Sequence, residues 1–122
     1  MVQTRLLTAV VAVVMLAGGI AHLVVPEIFF TIVPSIFPAR LAVVASGVVE
    51  LAIGLAVLVP RFRARAGIAF SLLCLGYMPL HLWDFIRPDP IFHPWPIAVA
   101  RVILQIGFIW AGLRLYARDP RA

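Results

Sequence analysis

A chain of 122 residues that is 64% hydrophobic and 12% charged, with a mean hydropathy of +1.11, has too little polar surface for a soluble domain of its size. Its net charge of +5 rests on ten arginines and no lysine; these flank apolar runs and form no basic face, which sets nucleic-acid binding aside. The one cysteine, Cys74, excludes an intramolecular disulfide and a C-x-x-C redox pair, so the chain reads as an integral membrane protein whose own thiols carry no electrons.

A membrane span needs about 20 apolar residues at about 1.5 Å rise each. Four stretches qualify in chain order, residues 6–25, 41–59, 66–86 and 96–116. None alternates in polarity, which excludes a β-barrel. The expected fold is all-α, an integral membrane four-helix bundle forming a single domain over residues 1–122. The first stretch has a second reading as a signal peptide, with Arg5 ahead of "LLTAVVAVVMLA" and a small-residue site at Gly19 and Ala21. The apolar run continues beyond that site through Leu23, Val24 and Val25, which favours the span.

The connections differ in kind. After the first span comes "PEIFFTIVPSIFPAR", too apolar to sit free in water and too short to cross. Pro26 suits the first turn of a helix and Glu27 its positive dipole end, which predicts a short interfacial helix at about residues 26–33. Its phenylalanines are expected to lie along the membrane surface. Between spans two and three, "RFRAR" makes a short basic turn. Before the fourth span, "RPDPIFHPWP" is stiffened by Pro88, Pro90, Pro94 and Pro96, and its aromatics suit the headgroup belt. With four spans, Arg5, Arg61, Arg63, Arg65, Arg114, Arg118 and Arg121 fall on one side, against Arg40, Arg87 and Arg101 on the other. That partition predicts both termini in the cytoplasm.

Ionisable groups inside a span are costly, so each needs a reason. His22, Glu50, His81, Arg101 and Gln105 are the primary candidates for a ligand-binding polar layer, with Tyr77 and Asp84 as secondary candidates. Counted from the external ends, His22 lies roughly 5 Å deep, His81 and Arg101 roughly 8 Å, Glu50 and Gln105 roughly 13 Å. Ser46, Glu50 and Gly54 share a face of the second helix. Tyr77, His81 and Asp84 share one on the third, and Arg101, Gln105 and Gly112 one on the fourth. Such stripes point into a bundle. Pro79 between Tyr77 and His81 is a place for the helix to open space.

Plainer readings stand beside these. Glu50 needs a buried partner whatever its role, and Arg101 or Gln105 is available. His22 and His81 lie close enough to helix ends to reach interfacial water. Asp84 and Arg87, three apart, have the spacing of a helix-end ion pair. His93, in a proline loop, reads as surface. Tyr77 and Cys74 read first as packing residues. No metal site is expected, since no two histidines have ligand spacing on one helix; a bis-histidine haem between helices one and three is the remaining geometric option.

The segments "GGIAHLVVPEIFFTIVP", Pro38 and "SGVVELAIGLAVLVPRFRARAG" resemble the DoxX family of four-span bacterial membrane proteins. Gly19, His22, Pro26, Phe29, Pro34, Pro38, Ser46, Gly47 and Glu50 match that family's pattern of G-x-x-H, proline, aromatic, a second proline and S-G-x-x-E. Arg101 and Gln105 in "AVARVILQIGFIWAGLRLY" resemble its R-x-x-x-Q ending. The third span departs, reading "YMPLHLWDF" where relatives often read P-x-N-x-x-M, so His81 and Asp84 are particular to this chain. The resemblance implies the bacterial cytoplasmic (inner) membrane. Some DoxX-type proteins resemble subunits of thiosulfate:quinone oxidoreductase, and others associate with membrane redox complexes.

No catalytic or cofactor motif is present, so the chain is not expected to be an enzyme. The favoured expectation is a non-enzymatic accessory or assembly subunit, with the lipid bilayer and other membrane or peripheral subunits as partners. The second is a quinone- or lipid-binding subunit of a membrane oxidoreductase, with quinone as its cofactor. A transporter reading requires a homo-oligomer, because one polar layer in half a bilayer makes a poor pathway.

Overall fold

The structure, a computed structural model, describes residues 1–118; Arg121 lies outside the described residues. Helix α1 spans Val2–Val24, a 3-10 helix spans Pro26–Ile32, and α2 spans Ala39–Leu58. Helices α3 and α4 span Arg63–Trp83 and Trp95–Ala117. All four long helices are apolar and long enough to cross a membrane, and the chain is a multi-pass membrane protein. Among the described residues there is no strand. The expected four-helix bundle is the observed one, with the short helix in its first proline-rich loop.

Prolines set most of the boundaries. Val25 and Val59 precede Pro26 and Pro60 and leave the helical region, as a residue before proline tends to do. Helix α4 opens with Trp95 and Pro96 in its first turn, where a missing N–H costs nothing. Pro79 sits inside α3, which continues through it. Its ring nitrogen cannot donate, so the carbonyl of Leu75 loses its helical donor. The third span ends at Trp83 and not at Ile86, because Asp84 takes the capping position and its carboxylate is bound by the following loop.

The bundle is built from two tightly joined helix pairs, α1 with α2 and α3 with α4. Each pair crosses at facing glycines. A Cβ on Gly19 would lie 2.8 Å from the Gly47 carbonyl oxygen, and one on Gly67 would lie 2.6 Å from that of Gly112. Any larger residue would force the backbones apart, a use of glycine that packing in lipid favours. The second pair is further tied by Ser71 Oγ donating to Ile109 O (2.8 Å) and Gln105 Nε2 donating to Cys74 O (2.6 Å).

The dry core occupies only one half of the bundle's length. Leu7, Val11, Met15, Ile53, Val57, Phe70 and Leu115 form it, toward the arginine-rich end. The half toward the two proline-rich loops is filled differently, and there the polar residues converge.

Candidate functional site

Each helix brings one or two polar side chains to the proline-loop half. Helix α1 contributes His22, α2 contributes Ser46 and Glu50, α3 contributes Tyr77 and His81, and α4 contributes Arg101. His22, Ser46, Tyr77, His81 and Arg101 line a cavity of about 570 Å³. Its remaining wall is apolar. Val43 and Leu80 come from the helices, while Phe29, Ile32, Val33, Pro34 and Phe37 come from the first loop. A mostly apolar hollow with a few convergent polar groups is the usual form of a small-molecule site.

Glu50 is 3% exposed and stands just behind this lining. Its Oε1 accepts a 2.9 Å hydrogen bond from the Tyr77 hydroxyl. Its Oε2 lies 3.0 Å from His22 Nδ1, within ion-pair distance, yet it has no aligned hydrogen-bond donor. Oε2 therefore keeps unfilled hydrogen-bonding capacity at a buried position. Gly18 makes the space for this oxygen, because a Cβ there would sit 3.0 Å from it.

Ser46 Oγ donates to Val43 O at 2.9 Å and lies 3.2 Å from His22 Nδ1. Which of the two groups donates in that second contact depends on the imidazole tautomer. The imidazole is held on its other side by Phe29, edge to face, with centroids 4.2 Å apart. Ser46, His22, Glu50 and Tyr77 thus form one linked polar chain across three helices.

The opposite wall is less satisfied. His81 Nδ1 is buried without a hydrogen-bond partner. The Arg101 guanidinium lies over the Phe92 ring, 3.3 Å from its centroid. Phe92 is itself positioned by Asp84, whose two oxygens accept from the backbone N–H groups of Ile91 (2.7 Å) and Phe92 (2.9 Å). Burial alone would push the Asp84 carboxyl up. The two backbone donors, with the charges of Arg101 and Arg87, outweigh burial and hold it below the ordinary carboxylate range.

Five of the seven sequence candidates therefore gather at one place: His22, Glu50, Tyr77, His81 and Arg101. Gln105 does not join them, since it is buried and spends its amide on Cys74 O. Asp84 does not line the cavity and acts as a staple for the loop. Nor does Asp84 pair with Arg87. That guanidinium stacks on Trp83, 4.5 Å from the ring centroid, and donates to Thr31 O at 3.2 Å, joining the two proline-rich loops. Glu50 has Tyr77 and His22 as partners, not Arg101 or Gln105.

Sequence reasoning missed the roof. Phe29 and Phe37 line the cavity, a role that the sequence does not assign to them. The signal was the density of prolines, which turn the loop back over the bundle. The role of Gly18 is legible only in three dimensions, because nothing in the sequence pairs it with Glu50.

No curated protein and no solved structure matches the chain. The family described as a domain of unknown function (DUF8561) matches residues 4–116, nearly the whole chain, and the protein belongs to that family.

Proposed function

We propose that the protein binds a membrane-soluble amphiphile, a quinone or a lipid, in the cavity at its proline-loop end, as a subunit of a membrane oxidoreductase. The observation that carries this reading is the cavity itself, about 570 Å³ of mostly apolar space with polar groups from all four helices at its edge. A bundle held together only by packing gains nothing from such a hollow, since empty volume forfeits contacts. The linked Ser46–His22–Glu50–Tyr77 chain gives a ligand carbonyl or hydroxyl a partner, and offers a path for a proton between ligand and carboxylate. The likeness to DoxX proteins supports the redox setting and the bacterial cytoplasmic membrane. The arginine partition supports an orientation with both termini in the cytoplasm.

An accessory or assembly subunit, the expectation favoured on sequence alone, shares this membrane setting and differs in leaving the cavity without a ligand. The discriminating experiment compares the parent with Glu50→Gln and His22→Ala. Membrane accumulation is measured by immunoblot, and binding of decylubiquinone by native mass spectrometry of the detergent-purified protein. The ligand-binding reading expects both variants to accumulate while quinone binding falls about tenfold or more, as loss of a hydrogen bond to a charged group implies. Undiminished quinone binding in both removes the polar chain from the site. A parent that retains no amphiphile leaves the accessory reading standing.

A further inference from the structure

The two polar walls of the cavity are not equivalent. On the α1–α2 side, Glu50 Oε1 accepts from Tyr77 across the bundle, and Oε2, though without an aligned donor, has His22 Nδ1 3.0 Å away to answer it. On the α3–α4 side, His81 and Arg101 have no such answer. Among the described residues the only acid–base pair within 4 Å is His22–Glu50, and Arg101 makes no side-chain hydrogen bond. Asp84 is the carboxylate whose charge reaches Arg101, but both of its oxygens are committed to the Ile91 and Phe92 N–H groups.

We infer that this wall holds the anionic headgroup of the amphiphile, a carboxylate or a phosphate monoester, with Arg101 as its charge partner and His81 Nδ1 as its second contact. The inference rests on the ligand-binding reading above and specifies the ligand's polar end. A guanidinium stacked on a ring uses its face, so the donors along the edges of Arg101 stay free, and their fork geometry matches a carboxylate or phosphate. An arginine inside a span is rare unless something in the cavity or the bundle answers its charge. His81 Nδ1, buried and unpartnered, is satisfied by donating to an oxygen of the same headgroup. Phe29, Ile32 and Leu80 then receive the acyl or prenyl chain.

The test uses the full chain in dodecyl maltoside, with native mass spectrometry titrations of dodecyl phosphate, laurate, dodecanol, decylubiquinone and inorganic phosphate. The chain-matched alcohol isolates the contribution of the charge. The expected result is that laurate, dodecyl phosphate or both bind about tenfold more tightly than dodecanol, in line with a charge-assisted hydrogen bond. Arg101→Gln should abolish that preference, weakening the anions more than it weakens dodecanol. Equal binding of dodecanol and both anions by the parent overturns the inference, as does an Arg101→Gln variant that keeps the preference. Decylubiquinone binding more tightly than either anion overturns it too, while sparing the ligand-binding reading. Failure of every amphiphile overturns that reading itself. Inorganic phosphate matching dodecyl phosphate overturns a lipid source for the anion. Should Arg101→Gln fail to accumulate, the comparison of charged and neutral heads on the parent protein still decides.

Discussion

Two buried carboxylates stand near the proline-loop end, and their partners give them different work. Glu50 lies within a span, touched by Tyr77 on one oxygen and approached by His22 on the other. Asp84 lies just past α3 and receives two backbone N–H groups seven and eight residues ahead of it, closing the loop that carries Phe92. Asp84→Asn replaces one accepting oxygen with an amide nitrogen, so Ile91 or Phe92 loses its acceptor. The expected cost is about 1–3 kcal/mol of local stability, the penalty for an unsatisfied buried donor. The pH dependence has a definite sign. Because the folded carboxyl is held below its ordinary value of 3.8, its contribution is fully present above that value and is lost as the pH falls through the lower folded value. Hydrogen exchange at the Ile91 and Phe92 amides checks both points. Protection should weaken only in strong acid for the parent and be weak at every pH for Asp84→Asn; unchanged protection in the variant would show that Asp84 does not staple the loop.

Between elements, the glycine crossings matter more than the apolar stripes. Along α4, Gly112 meets Gly67 and Ser71, whereas Gly107 has nothing within 4 Å. The two positions form a matched pair on one helix. Gly112→Val should spread α3 from α4 and cost about 1–3 kcal/mol or more, as overpacking does, while Gly107→Ala should stay within about 0.5 kcal/mol of the parent. Thermal unfolding of the two variants in the same detergent measures the difference, and a Gly112→Val protein as stable as Gly107→Ala would sink the crossing. The sequence shows both glycines and cannot say which is a contact. Gln105 failed for the same reason. Its i, i+4 spacing from Arg101 placed it correctly along one stripe, but spacing gives no rotation about the helix axis, and a small rotation separates a cavity wall from a helix–helix seam.

At the scale of the whole molecule, hydropathy and proline positions were enough for the four long apolar helices and the short helix of the first loop, because each follows from local chemistry along the chain. The division of the bundle into a dry half and a hollow half was only partly legible. Polar residues marked the second half, but that Phe29 and Phe37 of the first loop join His81 and Arg101 around one cavity is not a local property of the chain. Sidedness is a separate matter, since it depends on charge and not on packing. Arginines crowd the end that carries Arg5, the turn after α2 and the last turn of α4, and such residues resist transfer across the membrane. Cys74 is 3% exposed, so its thiol gives little background in labelling experiments. Ser35→Cys in the first proline-rich loop and Pro60→Cys in the arginine turn both occupy exposed positions at opposite ends of the bundle. A membrane-impermeant maleimide should label Ser35→Cys in intact cells and Pro60→Cys only in inside-out vesicles. The reverse pattern would invert the molecule and turn the cavity toward the cytoplasm; labelling of both positions in intact cells would contradict an α2 that crosses the membrane.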